Sequence, residues 1–217
     1  MSRDFTLAKY AQLCQAMAGW EVLTVRDFLV RDRLPERCLV LRHDVDRQPA
    51  NALRMAGLEA RFGIRSTYYF RMQKGTFVPR IIRAIADMGH EVGYHYETLD
   101  KARGDIGKAL ELFAAELAEF RQVCQVETVC AHGNPLTPWR NETIWTSQGL
   151  GKYGLLGEAF LSLGDGVTYL TDTSRTWNWK HRRKDVAPPG ANGLVVRSTD
   201  DLIVLLRMEQ SRRLHVC

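Results

Sequence analysis

The sequence predicts an α/β fold in which about seven parallel strands curl toward a barrel, with an extra N-terminal helix. Three observations carry this. Between residues 38 and 131, short apolar or β-branched runs alternate with amphipathic helical stretches, the order that sets parallel strands side by side through crossover helices. Four strand ends, HDVD (43–46), GHEVGYHYE (89–97), AHGNP (131–135) and LTDTSR (170–175), break into ionisable residues, as strands do where they emerge at a functional rim. With the strands expected nearer the C-terminus the total reaches seven or eight, which suits a barrel better than an open sheet.

Leu7, Tyr10, Ala11, Cys14 and Met17 follow the i, i+3, i+4, i+7 spacing of an amphipathic helix over residues 5–18, with Asp4 placed to cap it and Gly19 to close it. This helix is expected outside the barrel, so residues 1–35 form an accessory segment of one domain spanning 1–217. A looser stretch over 22–34 leads to the first strand, 38–46. Pro49 suits a first helical turn, and residues 49–62 read as a helix ended by Gly63. The β-branched and aromatic run STYYFR (66–71) is a second strand. Val78, Ile81, Ile82, Ile85 and Met88 mark the next helix, stopped by Gly89, and a short strand follows over 91–94. Ile106, Leu110, Phe113, Leu117 and Phe120 mark a longer helix, and 126–131 a fourth strand. Beyond residue 136 the pattern loosens to a helical turn at 143–149, strands at 159–161, 168–170 and 194–196, a helix over 200–208 and a last strand at 214–217.

Apolar residues make up 45% of the chain and charged ones 25%, which excludes a disordered or fibrous protein. The net charge of +5 comes partly from one run, Lys180, His181, Arg182, Arg183 and Lys184. Without a recognisable module such a run reads as a solvated loop, not a nucleic-acid surface. Trp177 and Trp179 before it allow a grip on an anionic glycan. Five cysteines, with no CxxC pair and one odd thiol, suggest buried free thiols in a reducing compartment. No membrane span or apolar leader is expected, and the location that follows is cytoplasmic. The sequence sets no oligomeric state.

The chemistry concentrates at the strand ends. In an extended chain Asp44 and Asp46 point to one side and Val45 to the other. Two adjacent carboxylates repel unless a cation or a shared proton relieves them, so a metal site is the first expectation. His90, Glu91 and His95 do not form the helical zinc-protease motif: the histidines are five apart, with β-formers between. As a strand, Glu91, Gly93 and His95 share one face and His90 the other. His95 is then the ligand that faces Asp46, and Glu97 is next in phase. His43 points away from the aspartates and is expected to orient the strand end. Asp172 with Arg175 reads equally as a pair orienting the site or as a capped turn, and Glu158 as a solvated carboxylate. Trp139, Trp145, Trp177 and Trp179 could stack on sugar rings or simply pack.

RHDVD, GHEVGYH and the HGNP loop resemble the polysaccharide deacetylases of carbohydrate esterase family 4, the NodB-homology group, in order over residues 36–135. The resemblance implies a distorted (β/α) barrel of about seven strands and removal of acetyl from an N-acetylated sugar of a glycan or its precursor. It implies Asp44 as catalytic base, with Asp46 and His95 holding a divalent ion, zinc first. Leu99 stands where the family has its second histidine, which leaves Glu97 as third ligand. The family's late histidine acid has only His215 as counterpart, within a strand, so His132 is the expected acid. Two other readings compete. A phosphatase of the haloacid-dehalogenase type also begins with a strand and DxD, but wants Gly-Thr where Arg47-Gln48 stand. An inactive glycan-binding relative would keep the barrel and lose the metal.

Overall fold

The computed structural model describes residues 4–146, 149–172, 177, 196–208 and 212–217. Its elements run α1 (Leu7–Ala16), β1 (Glu21–Leu23), α2 (Val25–Leu29), β2 (Cys38–Val45), α3 (Pro49–Arg61), β3 (Thr67–Phe70), α4 (Pro79–Asp87), β4 (Glu91–Tyr96), α5 (Thr98–Lys101), α6 (Ile106–Arg121), β5 (Thr128–Ala131), β6 (Gly157–Glu158), β7 (Thr168–Leu170), α7 (Thr199–Arg207) and β8 (Arg213–Val216). Seven strands lie in the order β6-β5-β4-β3-β2-β8-β7, with β1 beside the start of β2, and every pairing among the described residues is parallel. The sheet curls into a half-barrel, the distorted β/α barrel the sequence predicts.

β2 is the pivot. Cys38 to Leu41 pair with β8 on one side, and β1 takes the other as far as Val40. From Arg42 onward β3 replaces β1, His43 opposite Tyr68 and Asp44 opposite Tyr69. Alternation then divides the side chains. Leu39, Leu41, Leu214 and Val216 face outward and pack under α1 and α7 with Leu13, Met17, Leu202 and Leu206. Tyr68, Phe70, Val92, Tyr94 and Tyr96 meet Ile82 and Ile85 of α4 and Phe113, Leu117 and Phe120 of α6. The inward faces meet in a third cluster, Leu23, Val25, Phe28, Val40, Tyr69, Leu163 and Val167.

The segment before β2 is more than an outer accessory. Val25 and Phe28 of α2 fill the lower end of the barrel, where the Val25 amide donates to Thr67 Oγ1 (2.8 Å) and the Arg26 amide to Glu91 Oε2 (2.9 Å). The site end of the barrel is therefore the other, where the strands finish. A three-residue strand and a five-residue helix are too short to show a period, so the sequence read them as loose chain. α1 is capped by Thr6, whose Oγ1 accepts from the Lys9 amide (3.1 Å), and not by Asp4. Asp4 Oδ2 instead accepts from the Thr199 amide (2.9 Å) at the start of α7.

The strand expected at 159–161 is the pair Gly157–Glu158, after which the chain turns. Residues 194 and 195 of another expected strand lie outside the described residues, and Val196 is not in a strand. The helical turn expected at 143–149 is a 3-10 helix, Asn141–Thr146. Two glycines are required by geometry. Gly89 has φ +88°, so α4 can stop and β4 begin at once. A Cβ at Gly93 would stand 2.3 Å from the Tyr69 ring and 2.8 Å from the Thr128 carbonyl oxygen, so only glycine lets β4 pass inside the barrel.

Candidate metal centre

The inward residues at the ends of β2, β4 and β5 converge. His95 Nδ1 lies 3.0 Å from the Cys130 carbonyl oxygen, which can only accept, so Nδ1 carries the proton and Nε2 keeps its lone pair. That Nε2 stands 3.7 Å from Asp46 Oδ1 and 3.9 Å from Asp44 Oδ2. His132 follows β5 and brings its Nε2 to 3.4 Å from Asp46 Oδ1. Asp46, His95 and His132 thus offer one ligand atom each, all within 4.8 Å of one another.

These groups are poorly satisfied by the protein itself. Asp44 Oδ1, Asp46 Oδ1 and His132 Nδ1 are buried with no hydrogen-bond partner among the described residues. Leaving one such atom unpaired costs about 1–3 kcal/mol, more when it is charged. A cation would satisfy the carboxylate oxygens, and two imidazoles with a carboxylate form a common set for zinc and its neighbours. The donor set fits a divalent ion.

The surroundings set the charges. Burial alone would raise the Asp44 carboxyl, but Arg42 and then His95 hold it below its ordinary value. Arg42 is buried, with Nη2 3.5 Å from Asp44 Oδ2 and 3.1 Å from the Tyr169 hydroxyl, to which it donates. Burial and then His95 push His132 down to about 4, so its imidazole is neutral and able to ligate near neutral pH. Asp46 is anchored by its backbone, its carbonyl accepting from Gln73 Nε2 (2.7 Å) and Thr76 Oγ1 (2.9 Å).

Glu97 takes a different place. Its carboxylate pairs with Arg71 and lies 3.6 Å from Lys101 Nζ, with His132 Nδ1 3.9 Å away. Arg71 Nη1 is also 3.9 Å from Asp46 Oδ1, so one guanidinium spans both carboxylates. Leu99 is buried in the core. His215 lies in the barrel interior against the Tyr169 ring, and burial and then Arg42 push it far below the ordinary histidine value.

Other residues behave differently from expectation. Glu158 is fully buried and not solvated, because its carboxylate caps the turn after β6 by accepting from the Ala131, Phe160 and Leu161 amides (2.8, 2.8 and 2.7 Å). Trp145 packs edge-on to Tyr96 and Phe113 and donates to the Tyr96 hydroxyl, while Trp177 is buried and donates to Thr199 Oγ1. Trp139 lies against Gly104 and the main core. These three pack. Arg175, Trp179 and the basic run at 180–184 lie outside the described residues. The Asp172 amide donates to the Cys217 carbonyl (3.0 Å).

Asn141 carried no sequence signal and is almost fully buried. Its Oδ1 accepts from the Leu99 and Asp100 amides, and its Nδ2 donates to Asp100 Oδ2 and the His132 carbonyl. It therefore fixes the loop that presents His132. No described helix is long and apolar enough to cross a membrane. No family model matches this chain, and no curated protein or solved structure is significantly similar to it.

Proposed function

We propose that this chain is a metal-dependent amide hydrolase that removes acetyl from an N-acetylated sugar of a glycan or its precursor. One observation carries the reading: the buried, unpartnered Oδ1 of Asp46 faces the free Nε2 of His95 and the Nε2 of His132, beside a second, ionised aspartate. The motifs RHDVD and GHEVGYH, similar to those of the polysaccharide deacetylases, narrow the amide to an N-acetyl group.

Asp46, His95 and His132 would hold a divalent ion, zinc or a close neighbour. When bound, the ion supplies a Lewis acid for the amide carbonyl and acidifies a water. Asp44 takes the proton of the attacking water, for which Arg42 keeps it ionised and oriented. Since His132 stands in the donor group, Asp44 is also the residue placed to return that proton to the departing amine. Glu97 steers the outer nitrogen of His132 and, with Arg71 and Lys101, forms the wall behind it. His132 thus takes the ligand place that the sequence suggested for Glu97, and Asp44 the acid role that it suggested for His132. The five free thiols fit a reducing, cytoplasmic setting.

The test is metal analysis of protein purified without chelator, with acetate release from N-acetylglucosamine oligomers followed in parallel. One equivalent of metal in the wild type, lost in Asp46→Ala and His95→Ala together with acetate release, is expected. Full metal retention by both variants, or phosphate release from phosphomonoesters in place of acetate, overturns the reading.

A further inference from the structure

His95 serves two donor sets at once. Toward the rim its Nε2 faces Asp46 and His132. Toward the barrel interior the same nitrogen, the only one with a free lone pair, lies 3.9 Å from Asp44 Oδ2, and Asp44, His95 and Cys130 again offer ligand atoms within 4.8 Å of one another. The register makes this unavoidable, because Cys130 is the β5 partner of His95 and its side chain points inward as His95 does. Arg42 ties the inner set together: Nη1 donates to Cys130 Sγ (2.7 Å) while Nη2 faces Asp44 Oδ2.

We propose that Asp44, His95 and Cys130 form a second, inner cation position that takes thiophilic divalent ions and excludes the outer one. It rests on the reading of the outer set as a metal site. Exclusion follows from the shared nitrogen, since one imidazole lone pair binds one ion. Selectivity follows from ligand softness: two imidazoles and a carboxylate suit zinc and other borderline ions, whereas a sulfur donor shifts the preference to the softer cadmium. Tetrahedral bonds of about 2.0–2.3 Å put ligand atoms about 3.3–3.8 Å apart, so the inner set must close by about an ångström, a rotamer-scale motion. The Cys130 S–H bond is replaced by an S–metal bond and the proton leaves to solvent. Arg42 then sits beside a thiolate, a carboxylate and a dication, which leaves the cluster with one excess positive charge.

The consequence is inhibitory. An inner ion occupies Asp44, the proposed base, and removes His95 from the outer set. Soft ions are thus expected to stop the hydrolysis that harder ions support.

The metal-free full chain is titrated with Cd²⁺ and with Co²⁺ and followed by absorbance, for the wild type, Cys130→Ala and Asp46→Ala, each checked for folding by circular dichroism. A sulfur-to-cadmium charge-transfer band saturating at one equivalent is expected in the wild type and in Asp46→Ala, which lacks only the outer set. Cys130→Ala should lose the band and bind Cd²⁺ at least ~10-fold more weakly, the loss that even an outer partner of a ligand causes. Cobalt should give d–d bands in both the wild type and Cys130→Ala. A cadmium band that persists in Cys130→Ala, or cobalt d–d bands with no cadmium–sulfur band in the wild type, overturns the inner position and leaves the outer one standing. Failure of both ions to bind the wild type overturns the two together.

Discussion

The two faces of β2 carry the same kinds of residue and use them in opposite ways. On the outer face His43 Nε2 lies 2.7 Å from Glu59 Oε1, and the fully buried Glu59 also accepts from Tyr10, from Ser66 Oγ (2.6 Å) and from the Tyr68 hydroxyl (3.0 Å). His90 joins from β4's start, accepting from the Ser66 amide (3.2 Å) and donating to the Ala56 carbonyl (3.1 Å). No atom of Glu59, His43 or His90 is buried without a partner. On the inner face, one residue further along, Asp44 and Asp46 each leave a buried oxygen unpaired. A buried polar network with every valence filled rigidifies the fold, and one with valences left open is what a ligand completes. Acid and histidine content does not separate the two; satisfaction does.

The sharpest way to break this contrast is substitution on the inner face. Asp46→Asn should abolish acetate release and stoichiometric metal binding, while unfolding free energy in urea changes by no more than about 0.5 kcal/mol, as for a half-exposed group whose nearest cation, Arg71, stands 3.9 Å off and whose buried oxygen makes no hydrogen bond. Metal retention with a large loss of stability would put the inner aspartate in the same class as the outer network. The reverse is expected at Glu59. Glu59→Ala strands His43 and two tyrosine hydroxyls and should cost about 3–5 kcal/mol in a urea titration, with one equivalent of metal still bound by the folded fraction.

The same contrast explains what was legible in the sequence. Asp44, Asp46, His95 and His132 could be found because each ends or follows a strand, and a period of two fixes which side chains share a face. Their supports could not. Arg42 works through Cys130 and Tyr169, and Asn141 through Asp100 and His132, contacts that the barrel creates and no local pattern announces. Arg71 closes the expected strand STYYFR, and a cation at a strand's emerging end is the signal that points to it. Glu158 looked like a solvated acid because a two-residue strand leaves no alternation from which to read burial. From 38 to 131 long amphipathic helices made the order plain; from 136 to 172 the elements shrink to 3-10 turns and strands of two or three residues, below the length at which period carries information.

A smaller effect is expected where the inner face is tightest. Gly93→Ala drives a methyl into the Tyr69 ring and the Thr128 carbonyl, and the backbone oxygen cannot swing aside. A loss of about 1–3 kcal/mol in urea is the expected outcome. Because β4 also delivers His95, metal affinity should weaken in the same variant, unlike Glu59→Ala. An unchanged affinity would show that His95 is placed by its bond to the Cys130 carbonyl and not by the path of β4.

The smallest effects, differing in sign, come from pH. Glu59 sits below its ordinary value of 4.5: burial opposes this, and His43 with the hydroxyl donors outweighs it. Its ionised form therefore stabilises the fold above the unfolded value, and that contribution fades as pH falls through the folded one. Glu91, at the lower end of the barrel, is raised instead, because burial outweighs the donors it has in Thr67, Thr128 and the Arg26 amide. Folding there takes up a proton, so stability grows as pH falls from above the folded value toward the unfolded one. Urea midpoints for the wild type, Glu59→Gln and Glu91→Gln between pH 7 and 4 separate the two. On acidification the wild type should lose ground to Glu59→Gln and gain it on Glu91→Gln. If both differences move the same way, buried charge in this barrel is governed by desolvation alone, and the filled network around Glu59 does not do what its geometry implies.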